Sequence, residues 1–334
     1  MATQSYHPAT TPGVRGPYMG RSAGSYVGGP APWHDPHSSV VYADPPGWQN
    51  RPEARKAIQL MYDRRYMTVC IAALADVGKS LVLVCDSMLS TEQFSGDRTA
   101  GKLFPIGQSW WAMIAASSLG HVAPIIEAAT LLLSRLPDEE NTLEAVSHCV
   151  TIAYRSQWAR HAESVVLFPV GLTWKTFTEK PEWQPHLAEE LKKVDLGFEV
   201  IIGGFDWNMD GHIFTVRNPG VAFNYDVTGW AAIGIGEYGV ANTLLSHSFN
   251  SEMELARVLY HVCEAKFVSE SASGVGHYTQ VKIPVPGAKD DAAILADESV
   301  AIIRKAWEDE GRPRVPRGLV DIIRRELAKR TIIS

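Results

Sequence analysis

The chain has 334 residues, 46% of them hydrophobic, and a net charge of −6. That length allows one large domain or two small ones with a sizeable core, and the mildly acidic balance gives no electrostatic case for binding nucleic acid or an anionic membrane. No apolar run approaches the roughly 20 residues of a membrane span.

No positive-then-apolar leader is visible at the N-terminus. Cys70, Cys85, Cys149 and Cys263 lack CxxC spacing and read as small buried hydrophobes rather than a zinc site or a disulfide framework. The expected compartment is therefore the reducing cytoplasm, with no metal and no cofactor.

Residues 1–50 hold eight Pro and seven Gly, no Lys or Glu, and no periodic apolar pattern. Such a segment buries too little apolar surface to offset its ordering entropy, so 1–60 is expected to be a disordered extension. His34 and His37 lie within it, and two histidines in a flexible tail make a weak metal motif.

The texture changes at Thr68. Thr68–Ala75 and Ser80–Cys85 are apolar runs around Asp76-Val77-Gly78-Lys79, which predicts a hairpin. Lys102–Ile106 and Trp110–Ala116 repeat the pattern around Gly107-Gln108-Ser109. Leu119–Leu136 is apolar on nearly every side, as in a helix sandwiched between layers. The next helix carries Leu143, Val146, Val150, Tyr154 and Trp158 at helical spacing, with Asp138 able to cap it.

Residues 167–196, rich in Trp and Pro, read as an insertion. Strands are expected again at Phe198–Phe205, His212–Val216 and Gly229–Ile233, helices near Glu237–His247 and Glu252–Ser269, and a strand at Tyr278–Ile283. Beyond Pro286 two further helices are expected, the second with Leu319, Ile322, Ile323 and Leu327 on one face. Hairpin pairs argue for antiparallel sheets and grouped helices for separate helical layers, hence an α+β fold of two stacked sheets between helices.

Gly234-Ile235-Gly236-Glu237-Tyr238-Gly239 spells GxGxxG after a strand. A dinucleotide fingerprint also needs a second parallel strand ending in an acid about 20 residues on. Here one helix runs into another, so the glycines read as a tight strand-to-helix turn.

Asp86 ends one apolar strand and Lys102 opens another. An ionisable group there is costly to bury unless paired, and pairing the two in space accounts for both. With the strand from Thr68 alongside, a hydroxyl, a carboxylate and an ammonium converge.

The segments "TVCIAALA", "LVLVCDSML", "GKLFPI" and "WWAMIAAS", in that order, resemble the proteasome β-subunit branch of the N-terminal nucleophile hydrolases, and most closely its short bacterial homologues that begin Met-Thr. "EVIIGGFDWNMDGHIFTVRNPG" and "WAAIGIGEYGVANTLL" extend the resemblance to roughly residues 67–285. In the family a Lys follows the Asp by sixteen residues, as Lys102 follows Asp86.

The resemblance implies a four-layer αββα sandwich over 67–285, with a C-terminal helical extension at 286–334. It implies a threonine-type peptidase or amidase in which Thr68 is the nucleophile and its own α-amine the base. Lys102 would favour deprotonation of the hydroxyl, Asp86 would hold Lys102, and the Ala116 N–H would bind the oxyanion. Glu270 and Ser273 stand where the family has an Asp and a Ser that support the nucleophile, and Ile235 replaces a further supporting Ser.

The implied partners are a peptide or amide substrate, further copies of the chain in a homo-oligomer, and an ATPase if one exists. Residues 1–67 must leave before Thr68 has a free amine, by cleavage or because synthesis begins at Met67. The alternative is a catalytically silent structural or assembly subunit.

Overall fold

The computed structural model describes residues 67–90, 95–96, 101–107, 109–117, 119–286 and 293–312. The expectations for 1–60, including His34 and His37, and for a helix over 319–327 fall outside the described residues. No described helix is long and apolar enough to cross a membrane.

Twelve strands are described. The first sheet joins β1 (Cys70–Ala75), β2 (Ser80–Asp86), β10 (Trp230–Ile233), β11 (Thr279–Ile283) and β12 (Ala293–Ile294) in the order β10-β1-β2-β11-β12. The second joins β5 (Leu103–Pro105), β6 (Trp110–Ala116), β7 (Phe198–Phe205), β8 (Gly211–Arg217) and β9 (Val221–Asn224) in chain order. All pairings are antiparallel. A two-residue ribbon, β3 (Leu89–Ser90) with β4 (Ser95–Gly96), stands apart.

Side-chain parity sorts the layers. Cys70, Ala72 and Leu74 of β1 and Leu81, Leu83 and Cys85 of β2 share a core with Trp111, Met113, Ala115, Ile201 and Ile213 of the second sheet. The opposite parity, Val69, Ile71, Ala73, Val82 and Val84, packs under helices α5 (Glu237–Ser246), α6 (Leu255–Ser269) and α7 (Asp297–Ala306). On the second sheet Trp110, Ala112, Ile114, Val200, Ile202 and Phe214 face α1 (Val122–Leu133) and α2 (Leu143–Ala162). Strands covered on both faces have no polar parity, which is why "CIAALA" and "SLVLVC" are continuous apolar runs even though antiparallel. The result is the expected αββα sandwich.

Two helix expectations change. Val122, Ile125, Ala129 and Leu133 bury one face of α1 while Leu131 is 55% exposed, so α1 is an outer-layer helix and not a sandwiched one. Asp138 opens a short 3-10 turn, and α2 is capped by Thr142, whose side chain accepts from the Ala145 N–H at 3.3 Å. The hydroxyl there sits three residues from its donor, the geometry of an N-cap.

Residues 167–196 fold into α3 (Trp174–Glu179) and α4 (Gln184–Lys193) over their own small core of Leu167, Leu172 and Phe177. In α7 and just beyond it, Val300 and Trp307 join the same core as α6.

Candidate active site

The Cys70–Cys85 register of β1 and β2 sets Asp86 beside the residues just before β1. The Asp86 N–H donates to the Val69 carbonyl at 3.2 Å, and the Val69 N–H donates back to Asp86 Oδ1 at 3.1 Å. Lys102 arrives from the other sheet. Its carbonyl accepts from the Ile114 N–H at 3.1 Å, which fastens it to β6 just before β5 begins.

At this junction the three predicted side chains meet. Thr68 donates its hydroxyl to Asp86 Oδ1. Lys102 Nζ donates to Thr68 Oγ1 and also to Asp86 Oδ1, the latter at 2.8 Å. Thr68 is 2% exposed, Lys102 9%, and Asp86 fully buried. Asp86 Oδ2 takes the Gly276 N–H at 2.9 Å. The buried carboxylate is thus met by a cation and two backbone donors, the company a buried charge needs.

The glycines of the Gly234–Gly239 turn act by closeness to this site. Gly234 lies at φ +89, and a Cβ there would overlap the Thr68 carbonyl oxygen. A Cβ on Gly236 would lie 2.7 Å from Val69 Cβ, and its N–H donates to the Thr68 carbonyl at 3.3 Å. Between them Ile235 is buried in the core under α5 and α6. Among the described residues no second parallel strand follows, and α5 leads to α6, as expected from the sequence.

The remaining predicted residues stand farther off. Ala116 is the last residue of β6, paired with Phe198, and among the described residues no hydrogen bond joins it to Thr68. Glu270 follows α6 and is held by Lys266, by both terminal nitrogens of Arg304 at 2.8 and 2.6 Å, and by His277 at 2.9 Å. Burial opposes its ionisation, but Arg304 and Lys266 outweigh it and hold the carboxyl below its usual range. It reaches the site only indirectly, since Lys266 Nζ donates to the Gly276 carbonyl at 2.6 Å and the Gly276 N–H serves Asp86. Ser273 is exposed. Its neighbour Gly274, at φ +95, lies so close to Met67 that a Cβ would stand 2.7 Å from Met67 Cβ, so the turn touches the residue preceding Thr68, which stays 51% exposed.

Lys266, Gly276 and Arg304 were not anticipated. A signal for Lys266 existed: with Glu270 it forms an i,i+4 pair on an otherwise apolar helix face. Cys70, the nearest thiol in sequence, is kept protonated because burial, with Cys85 beside it, pushes its pKa well up.

No family model matches the chain, and no curated protein does. Among solved structures, an Anbu (Gly-1) mutant from Hyphomicrobium sp. strain MC1 is similar at 17% identity, covering 72% of this chain and 94% of that one, with a TM-score of 0.48. That likeness is too slight to carry function.

Proposed function

We propose that the chain is a threonine-type peptidase or amide hydrolase whose nucleophile is Thr68 once residues 1–67 are gone. The observation that supports this most is the mutual contact of Thr68 Oγ1, Lys102 Nζ and Asp86 Oδ1 at the bottom of the inter-sheet junction. With Met67 attached the Thr68 nitrogen is an amide, so the chain as it stands has a nucleophile and no base.

Once freed, an α-amine has a pKa of about 7.7–8.0, suited to taking and returning a proton near neutrality. The amine accepts the hydroxyl proton as Oγ1 attacks the substrate carbonyl carbon. Lys102, already donating to Oγ1, stabilises the developing alkoxide, and Asp86 holds Lys102 in place. The Ala116 N–H serves the tetrahedral oxyanion. The amine then passes its proton to the leaving nitrogen, the C–N bond breaks, and an ester remains on Oγ1. Water, deprotonated by the same amine, hydrolyses that ester and restores the hydroxyl.

In this reading 67–285 is the hydrolase domain, and 1–60 and 286–334 are extensions. The enzyme acts as a cytoplasmic homo-oligomer on peptides or small amides. A second reading, a silent scaffold subunit, is favoured by Ile235, a core side chain where the resembling family has a supporting Ser.

One experiment separates the two. A chain beginning at Met67 is purified, its intact mass measured, and its turnover tested on fluorogenic peptides and acyl amides. Loss of Met67 with cleavage that Thr68→Ala abolishes is the expected result. A free Thr68 amine with no cleavage across the panel leaves the scaffold.

A further inference from the structure

His247 is the first residue beyond α5, and His261 and Glu264 stand three apart on α6, hence on one face of it. His247 Nε2 lies 2.8 Å from Glu264 Oε2, and His261 Nδ1 lies 3.7 Å from the same oxygen. The two imidazoles stack with centroids 4.2 Å apart. His261 and Glu264 are 7% and 6% exposed, whereas the His247 side chain is 35% exposed.

His261 Nδ1 has no hydrogen-bond partner, and 3.7 Å is beyond hydrogen-bond reach. A buried polar atom left without a partner calls for a physical cause, and an ion is one. One donor atom from each of the three residues falls within 4.8 Å of the others. Tetrahedral coordination at 2.0–2.2 Å spaces ligand atoms roughly 3.4 Å apart, between the two separations found here.

We propose that His247, His261 and Glu264 bind a divalent first-row transition ion of the zinc class, with water in the fourth position on the exposed His247 side. Two imidazoles and one carboxylate suit such an ion, whereas magnesium and calcium take oxygen ligands. The adjacent Cys263 thiol is pushed up to about 12 by burial and does not compete as a thiolate.

Arg257 opposes the ion. Its Nε donates to His261 Nε2 at 3.4 Å, which places the imidazole proton on Nδ1, the atom the ion needs. Ion binding moves that proton to Nε2 and displaces Arg257, an exposed side chain free to leave.

The test uses the full chain, stripped with a chelator and titrated with zinc by calorimetry and with cobalt by visible absorption. One saturable site is expected, with a zinc-dependent rise in Tm. His247→Ala, the most exposed of the three, should weaken binding by more than about 100-fold, at least as much as loss of an outer-shell partner costs. Glu264→Gln should weaken it similarly, and Arg257→Gln should tighten it several-fold, an effect no unrelated site would show. Absence of a saturable site overturns the proposal. So does binding that keeps full affinity in His247→Ala, because the ion then sits elsewhere in the chain.

Discussion

Lys102 is a cation held by two oxygens, one on Thr68 and one on Asp86, and its removal acts on both activity and stability. Under the proposed function, Lys102→Ala should lower turnover of a chain freed of residues 1–67 by several powers of ten, as loss of a central catalytic group commonly does. It also leaves Asp86 buried without its cation, at about 3–5 kcal/mol in denaturant unfolding. Asp86→Asn combined with Lys102→Met should recover most of that stability and none of the activity. His212 offers a separate test: its hydrogen bond to Asp226, against partial burial, raises its pKa above 6.5. The stability it contributes is complete below about pH 6.5 and is lost as pH rises through the raised value. The denaturant midpoint of His212→Asn should therefore fall furthest below wild type near pH 6, with the gap narrowing by pH 9. Asp86 and Lys102 were legible because each bounds an apolar run and a buried charge demands a partner, whereas the role of Thr68 came from the resemblance. The setting of Glu270 was not legible for a complementary reason: one of its partners, Arg304, lies 34 residues on, where no local spacing points.

At the scale of elements, α6 and α7 are joined through one buried carboxylate. Lys266 is fully buried, and Glu270 is the carboxylate that serves both it and Arg304. Glu270→Ala should cost about 3–5 kcal/mol by stranding Lys266, with Lys266→Met restoring most of it. Hydrogen exchange should quicken at the Gly276 amide in Lys266→Met, because no ammonium then fixes the Gly276 carbonyl in place. The strands were easy to read because their runs are short and bounded by turns such as Asp76–Lys79, where Asp76, Val77 and Gly78 all take positive φ. The helix ends were harder. Asp138 and Thr142 are both good caps by type, and the choice fell to Thr142 because the chain first makes a 3-10 turn. The apolar sequence of α1 overstated its burial, since Leu131 reaches solvent.

For the whole molecule, two both-sided sheets followed from continuous apolar strands arranged as hairpins, while sheet order did not. Pairing of β11 with β2 is long-range, and nothing local to either strand announces it. The β2–β11 pairing also sets a clock. Asp86 and the Gly276 amide that completes its partners are 190 residues apart in the chain. At about 5–20 residues per second, a ribosome needs roughly 10–40 s between making the two. During that interval the carboxylate edge of β2 is unfinished and Lys102 has no complete counterpart. A nascent chain therefore holds Asp86 and Lys102 in an incomplete network until Gly276 has been made and β11 can close on β2.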